Sequence, residues 1–163
     1  MPASIPRQIL LILRAQYQKE TKPFTPLTRP RSTPIEMYTQ TVRTPIPGPD
    51  ATKTGTMSAS GTVTISIGPQ GWGKKWYPQI ASIATTSGAN DASTCSLYLS
   101  AWGQGTTPQN LINGQSYAGG GDSIGLAVPP VYPGHVITAV WSGGKSGDTA
   151  SLTIYGDQDA LWF

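Results

Sequence analysis

His135, the single histidine of the chain, lies in Pro133-Gly134-His135-Val136, a turn leading into a strand-like run. Its side chain type suits proton transfer near neutral pH, yet a base must be oriented against a nucleophile or a metal to do chemistry. A Ser-His-Asp site also requires a serine raised on a strand–turn–helix elbow, and none is expected here. His135 therefore reads as a polar residue at a strand edge. Glycoside hydrolysis needs two facing carboxylates. Asp91, Asp122, Asp148, Asp157 and Asp159 lie mostly beside Gly or Ser, as solvated turn aspartates do. Asp122 or Asp148 could join backbone carbonyls around a calcium ion, although no EF-hand spacing is present. Gly119-Gly120-Gly121 and Gly71-Trp72-Gly73 lack the Lys-Ser/Thr and the following helix of a phosphate loop. The reading is of a non-enzyme that requires no cofactor.

Aromatic side chains offer a second kind of chemistry, recognition. Trp72, Trp76, Tyr77, Tyr98, Trp102, Tyr117, Tyr132, Trp141 and Tyr155 are many for a small domain, so some are expected at the surface. Trp and Tyr are enriched where proteins meet one another, and exposed rings beside Asn and Gln also stack on sugars. Trp72, Trp76 and Trp102 are the candidates for glycan stacking, in a carbohydrate-binding adhesion module on a virion or cell surface.

The elements that would carry these residues follow from composition. The chain has 163 residues, 19 Gly, 15 Pro, one Cys and only 12% charged residues, against roughly 25% in ordinary globular chains. One cysteine excludes an intrachain disulfide framework and a Cys-rich zinc cluster, and Cys95 reads as a small buried apolar residue. Charge divides the chain unevenly. Residues 1–54 carry eight Lys/Arg against three acidic residues, net +5, whereas residues 55–163 carry three Lys against five Asp, net −2. No apolar run reaches the roughly 20 residues that span a bilayer, and Ile9–Leu13 is shorter than a secretory core, so a protein retained in the cytoplasm is expected.

Residues 1–54 hold nine of the fifteen prolines and are predicted to form an extended basic arm. Pro6–Glu20 is its one helical candidate, with Ile9, Leu10, Leu13 and Tyr17 along a stripe, and Glu36–Val42 is a short strand-like stretch. Phe24, Leu27 and Tyr38 add apolar anchors, which an arm needs if it docks on another subunit. There is no dense Lys/Arg run or aromatic-basic module, so direct nucleic-acid binding is not expected.

Residues 55–163 change to period two, and predict an all-β domain, an antiparallel β-sandwich of jelly-roll or Ig-like type with about six to eight strands. Gly61–Ile67 places Val63, Ile65 and Ile67 on one face; Trp76–Thr86 changes parity between Ile80 and Ile83, as a bulge would require; Thr94–Trp102 reads as a central strand. Gly103–Gly121 reads as a loop plugged by Leu111 and Ile112, followed by a short strand at Asp122–Val128. His135–Ser142 and Asp148–Tyr155 read as strands joined by a hairpin loop, Ser142–Gly147. The terminal Leu161, Trp162 and Phe163 are expected to pack on their own domain or, the reading slightly favoured, on a neighbouring subunit.

Gly61-Thr-Val-Thr-Ile-Ser-Ile67, Tyr117-Ala-Gly-Gly-Gly-Asp122, Pro133-Gly-His-Val-Ile-Thr-Ala-Val-Trp-Ser-Gly-Gly144 and Ala150-Ser-Leu-Thr-Ile-Tyr-Gly156 together resemble small β-sandwich structural domains of tailed actinobacterial phages, over roughly residues 60–156. The resemblance implies a non-enzymatic virion component carried in several copies: an accessory capsid (decoration or minor capsid) protein or a head-to-tail neck subunit. Its implied partners are major capsid or neck and tail proteins and further copies of itself, with no membrane. The partner-binding residues would be the arm anchors and Leu161, Trp162 and Phe163.

Overall fold

The computed structural model describes residues 42–71, 73–101 and 103–160. These residues form one unit. Among the described residues the chain runs through β1 (Val42–Pro45), the single-turn helix α1 (Gly48–Ala51), β2 (Thr52–Thr56), β3 (Val63–Ile67), β4 (Lys74–Thr85), β5 (Thr94–Ala101), β6 (Leu111–Ala118), β7 (Gly121–Gly125), β8 (His135–Ser142) and β9 (Thr149–Ala160). The expected helix at 6–20 lies outside the described residues, as does all but Val42 of the stretch 36–42.

The strands form two antiparallel sheets. One has the order β1-β9-β4-β7, with β2 also paired to β9; the other has the order β3-β8-β5-β6. Alternation places the core between them. Ile65 and Ile67, Cys95 and Leu97, and Ile137, Ala139 and Trp141 are buried from the four-stranded sheet; Trp76, Ala81, Ile83, Ala150, Leu152 and Ile154 are buried from the other. Burying each large aliphatic side chain of this set contributes about 1.5–3 kcal/mol. The central position of β5, between β8 and β6, agrees with its alternation.

Four expectations are corrected. Residues 42–45 and 52–56 already belong to the sheet, most of them before residue 55, because β1 and β2 both pair with β9. These edge segments are almost wholly exposed, so backbone pairing holds them rather than burial, and they have no apolar pattern to read. Residues 111–118 form β6, not a loop. Asn113 and Gly114 have φ of 57° and 58°, turn geometry inside a strand, and the pairing with β5 shifts register between Ser96 and Tyr98. Ser142–Gly147 is not a hairpin loop, since β8 and β9 belong to different sheets. Alternation fixes which face is buried but not which strand is the neighbour. Finally, the bulge of β4 lies at Pro78/Ile80, so the buried set runs Trp76, Pro78, then Ala81, Ile83, and Ile80 faces out. Pro78 falls before the β7 ladder, which begins at Ile80, and so removes no hydrogen bond from that side.

Candidate functional site

Two outward surfaces of the sandwich gather polar chemistry. The first is a groove of about 620 Å³ on the outer face of the four-stranded sheet. Because Ile65, Ile67, Ile137 and Ala139 turn inward, Thr64 and Ser66 of β3 and Val136 and Thr138 of β8 are left outward to form the floor. Ser66 and Thr138 are direct cross-strand partners, and their hydroxyl oxygens lie 2.8 Å apart. Thr138 is only 5% exposed although it lies on the outward face of β8. Gln70 forms one wall; its Nε2 donates to the Gly68 carbonyl at 3.1 Å. The chain from Gly103 to Thr106 forms the other wall and presents Gln104 and Thr106. Lys53, on β2, closes the corner between the sheets and donates from Nζ to the Ser66 carbonyl at 3.1 Å. Among the described residues no acidic side chain lines the groove.

The second surface lies on the other sheet. Asp159 of β9 is the register partner of Arg43 on one side and of Lys75 on the other. The Arg43 guanidinium carbon stands 3.9 Å from the centre of the Tyr77 ring; Lys75 Nζ stands 4.9 Å from both the Tyr77 and the Tyr132 rings. Tyr132 meets His135 edge-on, with ring centres 6.4 Å apart. Contact with Tyr77, and then with Tyr132, holds the Lys75 ammonium above its ordinary pKa of 10.5. Tyr132 is half exposed, and Ile80 and Tyr155, paired across β4 and β9, are exposed on the same sheet.

These surfaces replace parts of the sequence-based expectation. Trp76 is fully buried, so it has no face to offer a sugar. It faces inward because the bulge comes after it, and its segment is bridged at Val131. Trp72 and Trp102 lie outside the described residues, as do Ile9, Leu10, Leu13, Tyr17, Phe24, Leu27, Tyr38, Leu161, Trp162 and Phe163. The turn reading fails for two aspartates: Asp157 and Asp159 are strand residues, and Asp159 is 7% exposed. Its Oδ2 accepts from the Tyr77 hydroxyl at 2.6 Å, and its Oδ1 lies 3.6 Å from Arg43 Nε.

A nucleophile-elbow pentapeptide, Gly121-Asp122-Ser123-Ile124-Gly125, is present although none was expected. It forms strand β7, with Ser123 opposite Ser82, and no helix follows it. The elbow chemistry depends on a strand-to-helix turn, so the spacing here carries no catalytic geometry. His135 is the exposed first residue of β8. Asp122 Oδ1 accepts the Ser123 amide at 2.7 Å, and Asp148 accepts the Ser87 hydroxyl. Among the described residues no three His, Cys, Asp or Glu side chains come together to hold a metal ion, and no helix is long and apolar enough to cross a membrane.

The groove had a signal in the sequence, the hydroxyl rows Thr62, Thr64, Ser66 and Thr138 opposite the apolar faces of their strands. What the rows did not reveal is that β3 and β8 are neighbours, or that the segment after β5 rims them. Comparison with protein-family models, curated proteins and solved structures returns no match.

Proposed function

We propose that this chain is a virion structural protein of a tailed phage, an accessory capsid or head-to-tail neck subunit held to neighbouring subunits by its N-terminal arm. The observation that carries the reading is the strand order. Taking β1 and β2 as one interrupted edge, the sheets run β2-β9-β4-β7 and β3-β8-β5-β6. That is the eight-stranded jelly-roll order, an architecture used by viral capsid and lectin domains. Fold alone does not decide between those uses. The sequence resemblance to phage structural domains and the basic, apolar-anchored residues before the sandwich favour the first. The exposed tyrosines and cations around Arg43 and Lys75 suit a subunit contact.

The test is composition of purified particles. The protein is expected in density-purified virions, and deletion of residues 1–39, which spares β1, is expected to leave a folded sandwich that no longer incorporates. Particles lacking the wild-type protein would overturn the reading; normal incorporation of the deleted form would overturn anchoring by the arm.

A second reading, a carbohydrate-binding adhesion module, is favoured by one observation, the groove over Ser66 and Thr138 lined by hydroxyl and amide groups. Binding of the protein to host cell-wall polysaccharide tests it, and absence of any such binding would retire it.

A further inference from the structure

We propose that the groove over Ser66 and Thr138 is a saccharide site selective for an acidic sugar unit, with Lys53 receiving the anionic group. The inference rests on the carbohydrate-binding reading above and names its ligand class. At about 620 Å³ the groove falls within the range of small-molecule sites, about 300–1,000 Å³; the side chains that line it are mostly polar in type, while their carbon atoms supply somewhat more than half of its surface. Among the described residues Val136 is its one large apolar residue; hydroxyls of Thr64, Ser66, Thr106 and Thr138 and the amides of Gln70 and Gln104 make up most of the rest. Hydroxyls both donate and accept, and amides present a donor and an acceptor side by side, which matches a ligand whose surface is a run of hydroxyl groups.

The charge sets the class more narrowly. Lys53 is, among the described residues, the only ionic side chain in the lining. Its ammonium makes one hydrogen bond among the described residues, to the Ser66 carbonyl, of the three it can donate. Among the described residues it has no carboxylate partner within ion-pair distance. A cation at the corner of a groove whose described lining holds no carboxylate favours an anionic ligand, and a charge-assisted bond there is stronger than any neutral contact along the floor. A sugar ring along Ser66 and Thr138 would then bring a carboxylate or phosphate substituent to Lys53, while Gln70 and Gln104 bracket the ring from the two walls.

The experiment displays the full-length protein to an array of neutral, uronic-acid and phosphate-bearing oligosaccharides, followed by calorimetry of a galacturonic acid trisaccharide against the neutral galactose trisaccharide. The acidic ligand is expected to bind at least ten-fold more tightly than the neutral one. Lys53→Gln should remove that margin, Lys53→Arg should restore most of it, and Thr138→Val should weaken both ligands. Lys53 is exposed on an edge strand, so its substitution is expected to leave the circular dichroism spectrum and melting temperature unchanged. The phosphate-bearing members of the array separate the two anion chemistries; either one lost in Lys53→Gln supports the assignment. Equal binding of neutral and acidic sugars, with Lys53→Gln indifferent, overturns the acidic assignment and leaves the carbohydrate reading standing. Retention of no saccharide overturns both.

Discussion

The hydroxyl of Tyr77 donates to Oδ2 of Asp159 at 2.6 Å along the diagonal of the β4–β9 ladder, in which Tyr77 is the direct partner of Asp157. The bond therefore fixes a buried carboxylate from the strand next to its own, while Arg43 on the third strand supplies the countercharge at 3.6 Å. Surface ion pairs contribute little, but removing one partner of a buried charge exposes the cost of leaving the other uncompensated. Tyr77→Phe keeps the ring under Arg43 and removes only the donor, and is expected to lower stability by about 1–3 kcal/mol. Arg43→Ala should cost less alone, and the double variant should be non-additive because both act on one carboxylate. Urea unfolding of the three variants measures this; a Tyr77→Phe variant indistinguishable from wild type would show that Asp159 needs no donor.

Most of the inner faces could be read from alternation, and most of the neighbour relations could not. Ile65, Ile67, Leu97, Ile137, Leu152 and Ile154 each follow from period two within their own strands. Edge strands escape that logic. Thr52-Lys-Thr-Gly-Thr56 has no apolar face, and it is a strand because β9 supplies its hydrogen bonds. β6 escapes for another reason, since Asn113-Gly114 is ordinary turn chemistry placed within a strand. The groove depends on two things that alternation does not supply: Lys53 sits on an edge strand without an apolar face, and the floor pairs Ser66 with Thr138, more than seventy residues away in sequence.

The turn between β2 and β3 is seated against the β8–β9 crossover. Gly61 has φ of 69° and receives the Gly144 amide on its carbonyl at 3.0 Å, and a Cβ at Gly61 would stand 2.3 Å from the Gly144 carbonyl oxygen. Gly147, in the same crossover, has φ of 87° with open space around it. Gly147→Ala should therefore cost only the left-handed backbone, about 1–2 kcal/mol. Gly61→Ala adds a backbone clash and is expected to cost clearly more. Thermal unfolding of the two variants compares them directly, and equal losses would mean that the crossover yields without resistance.

Asp91 should contribute to acid sensitivity. The Thr85 hydroxyl beside its carboxylate is the main influence holding its pKa below the ordinary 3.8; burial opposes this, and the Ser93 amide, donating to Oδ1 at 2.8 Å, supports it. A carboxyl with a lowered folded-state pKa binds its proton more weakly when folded, so its stabilisation is present above the unfolded value and disappears as pH falls through the folded one. Asp91→Asn is thus expected to be less stable than wild type at pH 7, with the two curves converging as the pH falls below about 4. Denaturant titrations across that range provide the check, and a constant gap at every pH would assign the loss to packing rather than to charge.

Cys95 provides a probe of whether the sandwich opens as a whole. It is fully buried between β6 and β8, opposite Tyr117 and Trp141. Burial pushes its thiol up from 9.0 to about 12, against a smaller opposing effect of the Val140 backbone. The nucleophile is the thiolate, so at pH 8 the folded protein offers neither the reactive form nor a path to it. Labelling by a thiol reagent is expected only through unfolding, with a denaturant dependence equal to that of global unfolding. The raised value also has a sign. Its stabilisation is complete below the unfolded pKa of 9.0 and is lost as pH rises from there toward 12. Wild type should therefore lose stability relative to Cys95→Ala as pH climbs above about 9. Fast labelling in the absence of denaturant, with a shallow denaturant dependence, would instead mean that β5 separates from its neighbours while the rest of the sandwich stays folded.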